Sequence, residues 1–153
     1  GGGIKSIGSS AFYGCTSLTT ISVPNATKIE NNAFYGCESL ANISAPNVTS
    51  VGNSVFLACG SLTSISLPKV TSIGSQAFSN CAKLSTVILG APTMCTLTNV
   101  SAFNSNTPFA SGKAGGTLYV PRNLISTYQA DSKWNTVLNY NANNQIKAIE
   151  DIV

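Results

Sequence analysis

The side chains able to do chemistry are few in this 153-residue chain: five cysteines, five carboxylates and no histidine. Cys15, Cys37, Cys59 and Cys81 recur every 22 residues, and Cys95 comes early for a fifth member. A thiol can ligate a metal, attack a substrate or pair into a disulfide. Structural zinc calls for paired Cys-x-x-Cys or histidine ligands, and Ser-His or Cys-His catalysis calls for an imidazole. The chain offers neither. Four thiols in one column of an odd total read as buried, reduced packing residues that behave as small hydrophobes. Stacked units would also bring neighbouring thiols near disulfide distance, so that pairing is the alternative. Glu30 and Glu38 read as solvated charges of one unit. Asp131, Glu150 and Asp151 fall near the C-terminus, where surface or helix-terminal roles are expected. A glycosidase needs two carboxylates converging on a sugar, and no spacing here places such a pair. The expectation is a protein that is not an enzyme, with no metal and no cofactor.

Charged residues make up only 8% of the chain against 43% hydrophobic residues, where soluble domains carry roughly 25% charge. Ser, Thr and Asn must supply solubility, a composition that suits an extracellular surface. The formal charge of +3 is scattered. No Lys or Arg run exists to neutralise phosphates, which argues against nucleic-acid binding. No apolar stretch approaches the roughly 20 residues that span a bilayer. Gly1 to Gly3 read as a cloning scar or a cut within a longer protein, with any export signal or anchor outside this segment.

The elements that carry these residues repeat with the same 22-residue period. Phe12, Phe34, Phe56 and Phe78 are in phase, as are Leu18, Leu40, Leu62 and Leu84. Ile21, Ile43, Ile65 and Val87 follow, then Val23, Ala45, Leu67 and Leu89, and Pro24, Pro46 and Pro68 stand behind three of these. Ile7, Ile29, Val51 and Ile73 complete the unit. Ile21 and Val23 alternate with Ser22, which predicts a strand with one face in the core. Proline then ends it, because it has no N–H for the next ladder bond. The Ala-Phe-x-x-Cys stretch is short enough for a turn or a 3₁₀ piece with Phe and Cys inward. One unit cannot bury its apolar face alone. Stacked at ~4.8 Å, the units form a continuous core.

Four such units occupy residues 1–92, the first entered part-way, and 93–153 are expected to form a degenerate fifth rung and a cap. On the 22-residue count Pro92 and Cys95 keep apolar columns, but Ala102-Phe103 arrives three residues late. Asn104 to Gly116 reads as a loop. Thr117-Leu118-Tyr119-Val120-Pro121 restores the strand-plus-proline pattern with Leu118 and Val120 inward. Arg122 to Asn141 suits one or two short helices broken near Asp131-Ser132, with Trp134 plugging the open core. Gln145 to Val153 is expected to be extended or mixed.

The unit Ile-Gly-x-x-Ala-Phe-x-x-Cys-x-x-Leu-x-x-Ile-x-Leu-Pro, nearly intact at Val51 to Pro68 and Ile73 to Leu89, resembles the BspA-type leucine-rich repeat. The ending at Thr117 to Pro121, with Tyr128 and Trp134, looks like the cap of such bacterial arrays. The resemblance covers nearly the whole chain. It implies an α+β leucine-rich-repeat solenoid with parallel strands on one face, on a secreted or surface-exposed bacterial protein engaged in adhesion. The sequence departs from the common leucine-rich pattern where an Asn or Cys spine usually follows the strand. Ala26, Val48, Val70 and Pro92 stand there, so no spine is expected at those positions.

In leucine-rich repeats the outward strand positions are where partners usually bind. Here they form two columns: Thr20, Asn42, Ser64, Thr86 and Thr117, and beside it Ser22, Ser44, Ser66, Ile88 and Tyr119. They read either as a polar face with an apolar edge that docks a host or cell-surface protein, a matrix protein among the candidates, or as a ligand-free face whose last residues the cap covers. Hydroxyl ladders suit strands on their own account. Tyr13, Tyr35 and Leu57 form a second candidate stripe, able to grip a glycan or a partner surface, or simply to cover the phenylalanine column. Asn25, Asn42, Asn47 and Asn99 begin Asn-x-Ser/Thr triplets, which carry no weight in a bacterial protein. A spacer with no ligand is the plainest alternative. The first rung leaves an unpaired strand edge unless Ile4 to Ile7 and upstream repeats cover it, and an uncovered edge predicts self-association of this segment.

Overall fold

The computed structural model describes residues 3–110, 113, 115–139 and 145–152. Gly1, Gly2, the expected helix end near Asn141, and Val153 lie outside the described residues. The 22-residue unit folds as one coil of a solenoid bearing two strands. The longer strands are β2 (Thr20–Ser22), β4 (Asn42–Ser44), β6 (Ser64–Leu67), β8 (Thr86–Leu89), β10 (Thr117–Val120) and β11 (Gln145–Ala148). Pairing is parallel and in register, with Ile21 opposite Ile43 and Ile65 opposite Val87. The degenerate segment joins as expected, with Leu118 opposite Val87, and β11 pairs outside it. No ladder joins β4 to β6, so this face divides into a two-stranded and a four-stranded sheet.

A second parallel sheet lies on another side of the coil. Its strands are two residues each: β1 (Ser6–Ile7), β3 (Lys28–Ile29), β5 (Ser50–Val51), β7 (Ser72–Ile73) and β9 (Thr96–Leu97). They pair without interruption in that order. Two-residue strands are too short to show an alternating pattern, and the sequence displays them only as one isoleucine/valine column.

The Ala-Phe-x-x-Cys stretch is a series of turns in the first four coils and a 3₁₀ turn at Val100–Phe103 in the next. Each coil holds two residues in the left-handed region: Ser10, Asn32, Ser54 and Gln76 at one position, and Gly14, Gly36, Ala58 and Asn80 at the other. The turns aim the rings inward. Phe12, Phe34, Phe56, Phe78 and Phe103 stack in sequence with centroids 5.2, 5.6, 5.4 and 5.0 Å apart.

Two corrections follow from register. Ser72 pairs with Thr96 and Ile73 with Leu97, so two extra residues enter after Leu89 and the 22-residue count fails there. Pro92 is exposed and Leu97, not Cys95, holds the isoleucine column. Cys95 is buried beside it and becomes the anchor of the cap. Trp134 donates from Nε1 to the Cys95 carbonyl at 2.7 Å, and the Cys95 N–H donates to the Tyr128 hydroxyl at 2.7 Å.

Those two rings stand on α1 (Ile125–Ala130) and α2 (Ser132–Asn139), broken at Asp131 as the sequence predicts. Asp131 Oδ2 accepts from the N–H groups of Lys133 and Trp134, capping α2. Trp134 meets Phe103 at 44° and Tyr128 at 69°, so the parallel ring column stops against tilted neighbours. Arg122 bridges to Asp151, while its N–H donates to Glu150, tying the last turn to the end of β10.

Candidate binding surface

The cysteine column lies wholly inside the coil from Cys37 onward. Cys37, Cys59 and Cys81 each donate Sγ–H to a phenylalanine carbonyl of the preceding coil, at 3.1, 3.3 and 2.9 Å. A spine bonded by side chains therefore exists at the cysteine column, and not at the usual position after the strand. Ala26, Val48 and Val70 are buried and apolar there. Burial pushes the thiols of Cys37 and Cys59 up, and those of Cys81 and Cys95 up to about 12. All five cysteines are free. A protonated, buried thiol is a packing group and neither a nucleophile nor a metal ligand.

Glu30 and Glu38 are exposed, Asp131 caps α2, and Glu150 and Asp151 hold Arg122. No cluster of metal-ligating side chains occurs among the described residues.

Threonine hydroxyls just before the strands of the second sheet are also engaged in the coil stack. Thr49 and Thr71 donate to the carbonyls of Thr27 and Thr49, one coil back, at 3.1 and 3.3 Å. The outward residues of the longer strands differ. Thr20, Ser22, Asn42, Ser44, Ser64 and Ser66 are all exposed, and register sets Thr20 opposite Asn42 and Ser22 opposite Ser44. Toward the cap the columns run Ser64, Thr86, Thr117, Gln145 and Ser66, Ile88, Tyr119, Lys147. Thr86, Thr117, Ile88 and Tyr119 are half-buried, because β11 continues the face past them. Gln145 and Lys147, which the sequence did not assign to this face, are its exposed border. Nothing in the spacing announces them, since β11 is outside the 22-residue period.

Tyr13 and Tyr35 stack with centroids 4.7 Å apart and planes within 6°. The stripe ends at half-buried Leu57, and Ser79 at the next position is buried. A face-to-face stack spends the inner ring faces on each other, so this stripe presents ring edges and the outer face of Tyr13, which is 55% exposed.

Two parallel sheets borne by a 22-residue coil, with a column of stacked phenylalanines inside, define a leucine-rich-repeat solenoid. The family model of the BspA type leucine-rich repeat region matches residues 2–111 in six copies. The chain belongs to that family. Among solved structures it is similar to a leucine-rich repeat protein of T. pallidum, at 27% identity and a TM-score of 0.63, covering 76% of this chain and 52% of that one. It is also similar in fold to a leucine-rich repeat protein from Bacteroides ovatus, at 22% identity and a TM-score of 0.60, covering 95% of this chain and 40% of that one. The chain thus spans about half or less of the length of the structures it matches. No curated protein matches it. A leucine-rich-repeat fold is a protein-interaction scaffold, and among the described residues no helix is long and apolar enough to cross a membrane.

Proposed function

We propose that this leucine-rich-repeat domain is a non-catalytic extracellular module that recognises a host or cell-surface protein through the outward face of its longer strands. One contrast carries the reading. The hydroxyls of Thr49, Thr71 and Ser85 are bonded to carbonyls of the neighbouring coil, whereas Thr20, Ser22, Asn42, Ser44, Ser64 and Ser66 make no side-chain hydrogen bond among the described residues. They are donors and acceptors held at fixed spacing and left for another molecule. Each bond is worth little net, but a rigid scaffold loses little entropy on binding, and repeated copies add avidity. Half-buried Ile88 and Tyr119, inside the border formed by Gln145 and Lys147, supply an apolar strip at which such a contact gains area. The family resemblance supports a secreted or surface location. The alternatives are a glycan-binding module using exposed aromatics and a spacer with no ligand.

Equilibrium binding of the folded domain to an array of host matrix proteins and glycans tests the reading. Saturable protein binding should be lost on the Ser44→Arg and Ser66→Arg double variant, whose bulk and charge sit mid-face. Tyr13→Ala should leave it unchanged. Glycan binding lost with Tyr119→Ala would support the aromatic alternative instead, and a fully folded domain with no ligand would leave the spacer.

A further inference from the structure

A hollow lies on the second sheet, away from the face just discussed. It measures about 430 Å³, within the roughly 300–1,000 Å³ typical of small-ligand sites. Its floor is a run without side chains at Gly52 and Gly74. These glycines are required: a Cβ on Gly52 would stand 2.6 Å from Asn31 Oδ1, and one on Gly74 would stand 2.5 Å from Asn53 Oδ1. The same oxygens accept from the N–H groups of Asn53 and Ser75 in the next coil, at 2.8 and 2.9 Å. Asparagine and glycine therefore build a ladder along one wall, with the asparagine oxygens occupied and their Nδ2 groups unbonded among the described residues. Ser50 and Ser72 line the opposite side as outward residues of β5 and β7.

The run is closed at both ends. Thr98 takes the glycine position in the last coil, its N–H donating to Ile73 as that of Gly74 donates to Val51. Glu30 takes it in the second coil, where its N–H donates to Ile7, and Lys28 flanks Glu30 in the lining. Neither charge has a partner among the described residues, where the one ion pair is Arg122–Asp151.

We propose that this trough binds a short segment of a linear, uncharged glycan lying across the coils. The lining offers donors at Lys28, Asn31 and Asn53, acceptors at Glu30, and both at Ser50 and Ser72. A poly-anion would meet Glu30, and a cation would meet Lys28, so neither is matched along its length. Sugar hydroxyls donate and accept at once and suit both. The polar groups recur at the coil spacing of ~4.8 Å, close to the length of one pyranose unit, whereas an extended peptide advances ~3.3 Å per residue and falls out of step. The site uses no aromatic platform and is separate from the proposed protein-binding face, so either reading stands without the other.

The test is a ¹⁵N–¹H NMR titration of the whole domain with cellotetraose, chitotetraose and xylotetraose. Saturable shifts are expected at the amides of Gly52, Asn53, Gly74 and Ser75 with at least one of them, with dissociation constants of about a millimolar for so open a site. Ser72→Trp, which fills the trough from an outward strand position, should weaken that binding about tenfold or more. Glu30→Gln with Lys28→Ala, which alters two side chains bonded to nothing, should weaken it severalfold. Ser44→Arg with Ser66→Arg should leave it unchanged. No shift with any of the three sugars overturns the proposal. So do shifts confined to Tyr13, Tyr35 or Tyr119, or equal affinity for a fully carboxylated oligogalacturonate that is abolished by Lys28→Ala alone.

Discussion

Ala58 occupies a backbone position at which φ is 62°, and the equivalent residues are Gly14, Gly36 and Asn80. A left-handed conformation crowds an L side chain's Cβ against the following carbonyl, at roughly 1–2 kcal/mol. Glycine escapes that crowding but loses more chain entropy on folding. The balance predicts that Ala58→Gly stabilises the domain by about 0.5–1 kcal/mol. An unchanged or lowered urea midpoint would sink this. The buried thiols make a second prediction. Cys81 and Cys95 are raised from 9.0, and Tyr128 from 10.0, each up to about 12, chiefly by burial. The folded state holds these protons more tightly than the unfolded chain does. Their contribution is complete below about pH 9 and is lost as pH rises toward 12. Urea midpoints should therefore fall steadily across that window, and a flat profile would contradict the burial. At neutral pH a thiol reagent should label half-buried Cys15 first and leave Cys37, Cys59 and Cys81 intact until the domain opens.

Among the elements, α1 and α2 matter most because they end the core. A solenoid coil is covered by the next, and the last needs something of different shape. Trp134 and Tyr128 provide it by turning their rings across the phenylalanine column and bonding both backbone groups of Cys95. Trp134→Ala should destabilise the domain by about 3–5 kcal/mol, through the void and through loss of the bond. Trp134→Phe keeps a ring but leaves the Cys95 carbonyl unpaired, at about 1–3 kcal/mol. Denaturant unfolding of both variants checks the order. A loss for Trp134→Ala no larger than for Trp134→Phe would mean that the ring is not the plug.

At the scale of the whole molecule the two ends are unlike. The capped end is closed, while Phe12, Cys15, Leu18 and Ile21 of the first coil are only partly buried and Tyr13 and Ile4 are exposed. Among the described residues β2 pairs with β4 alone, which leaves its other edge open. An open edge over an apolar face pairs with another chain. Sedimentation velocity at rising concentration should show reversible association of this segment, weakened by Ile21→Lys. A single monomeric species throughout would refute it.

The 22-residue columns, the longer strands, the inward rings, the break at Asp131 and the plug at Trp134 were all legible in the residues. Each arises from a local periodicity or from one bulky residue in a polar stretch. The outward columns were legible for the same reason, since alternation within a strand sets which residues turn away from the core. The shift of register after Leu89 was not, because an insertion inside a loop leaves no pattern, and pairing of Ile73 with Leu97 settles it only in space. Nor were Gln145 and Lys147 on the strand face, brought there by a strand that follows a helical pair. The trough was hidden as well. Its floor is an absence of side chains, and its ladder joins Asn31, Asn53 and Ser75 across coils. Periodicity along a chain tells which residues turn inward; only the stacking of coils decides which residues meet, because contacts between coils depend on register that no single coil contains.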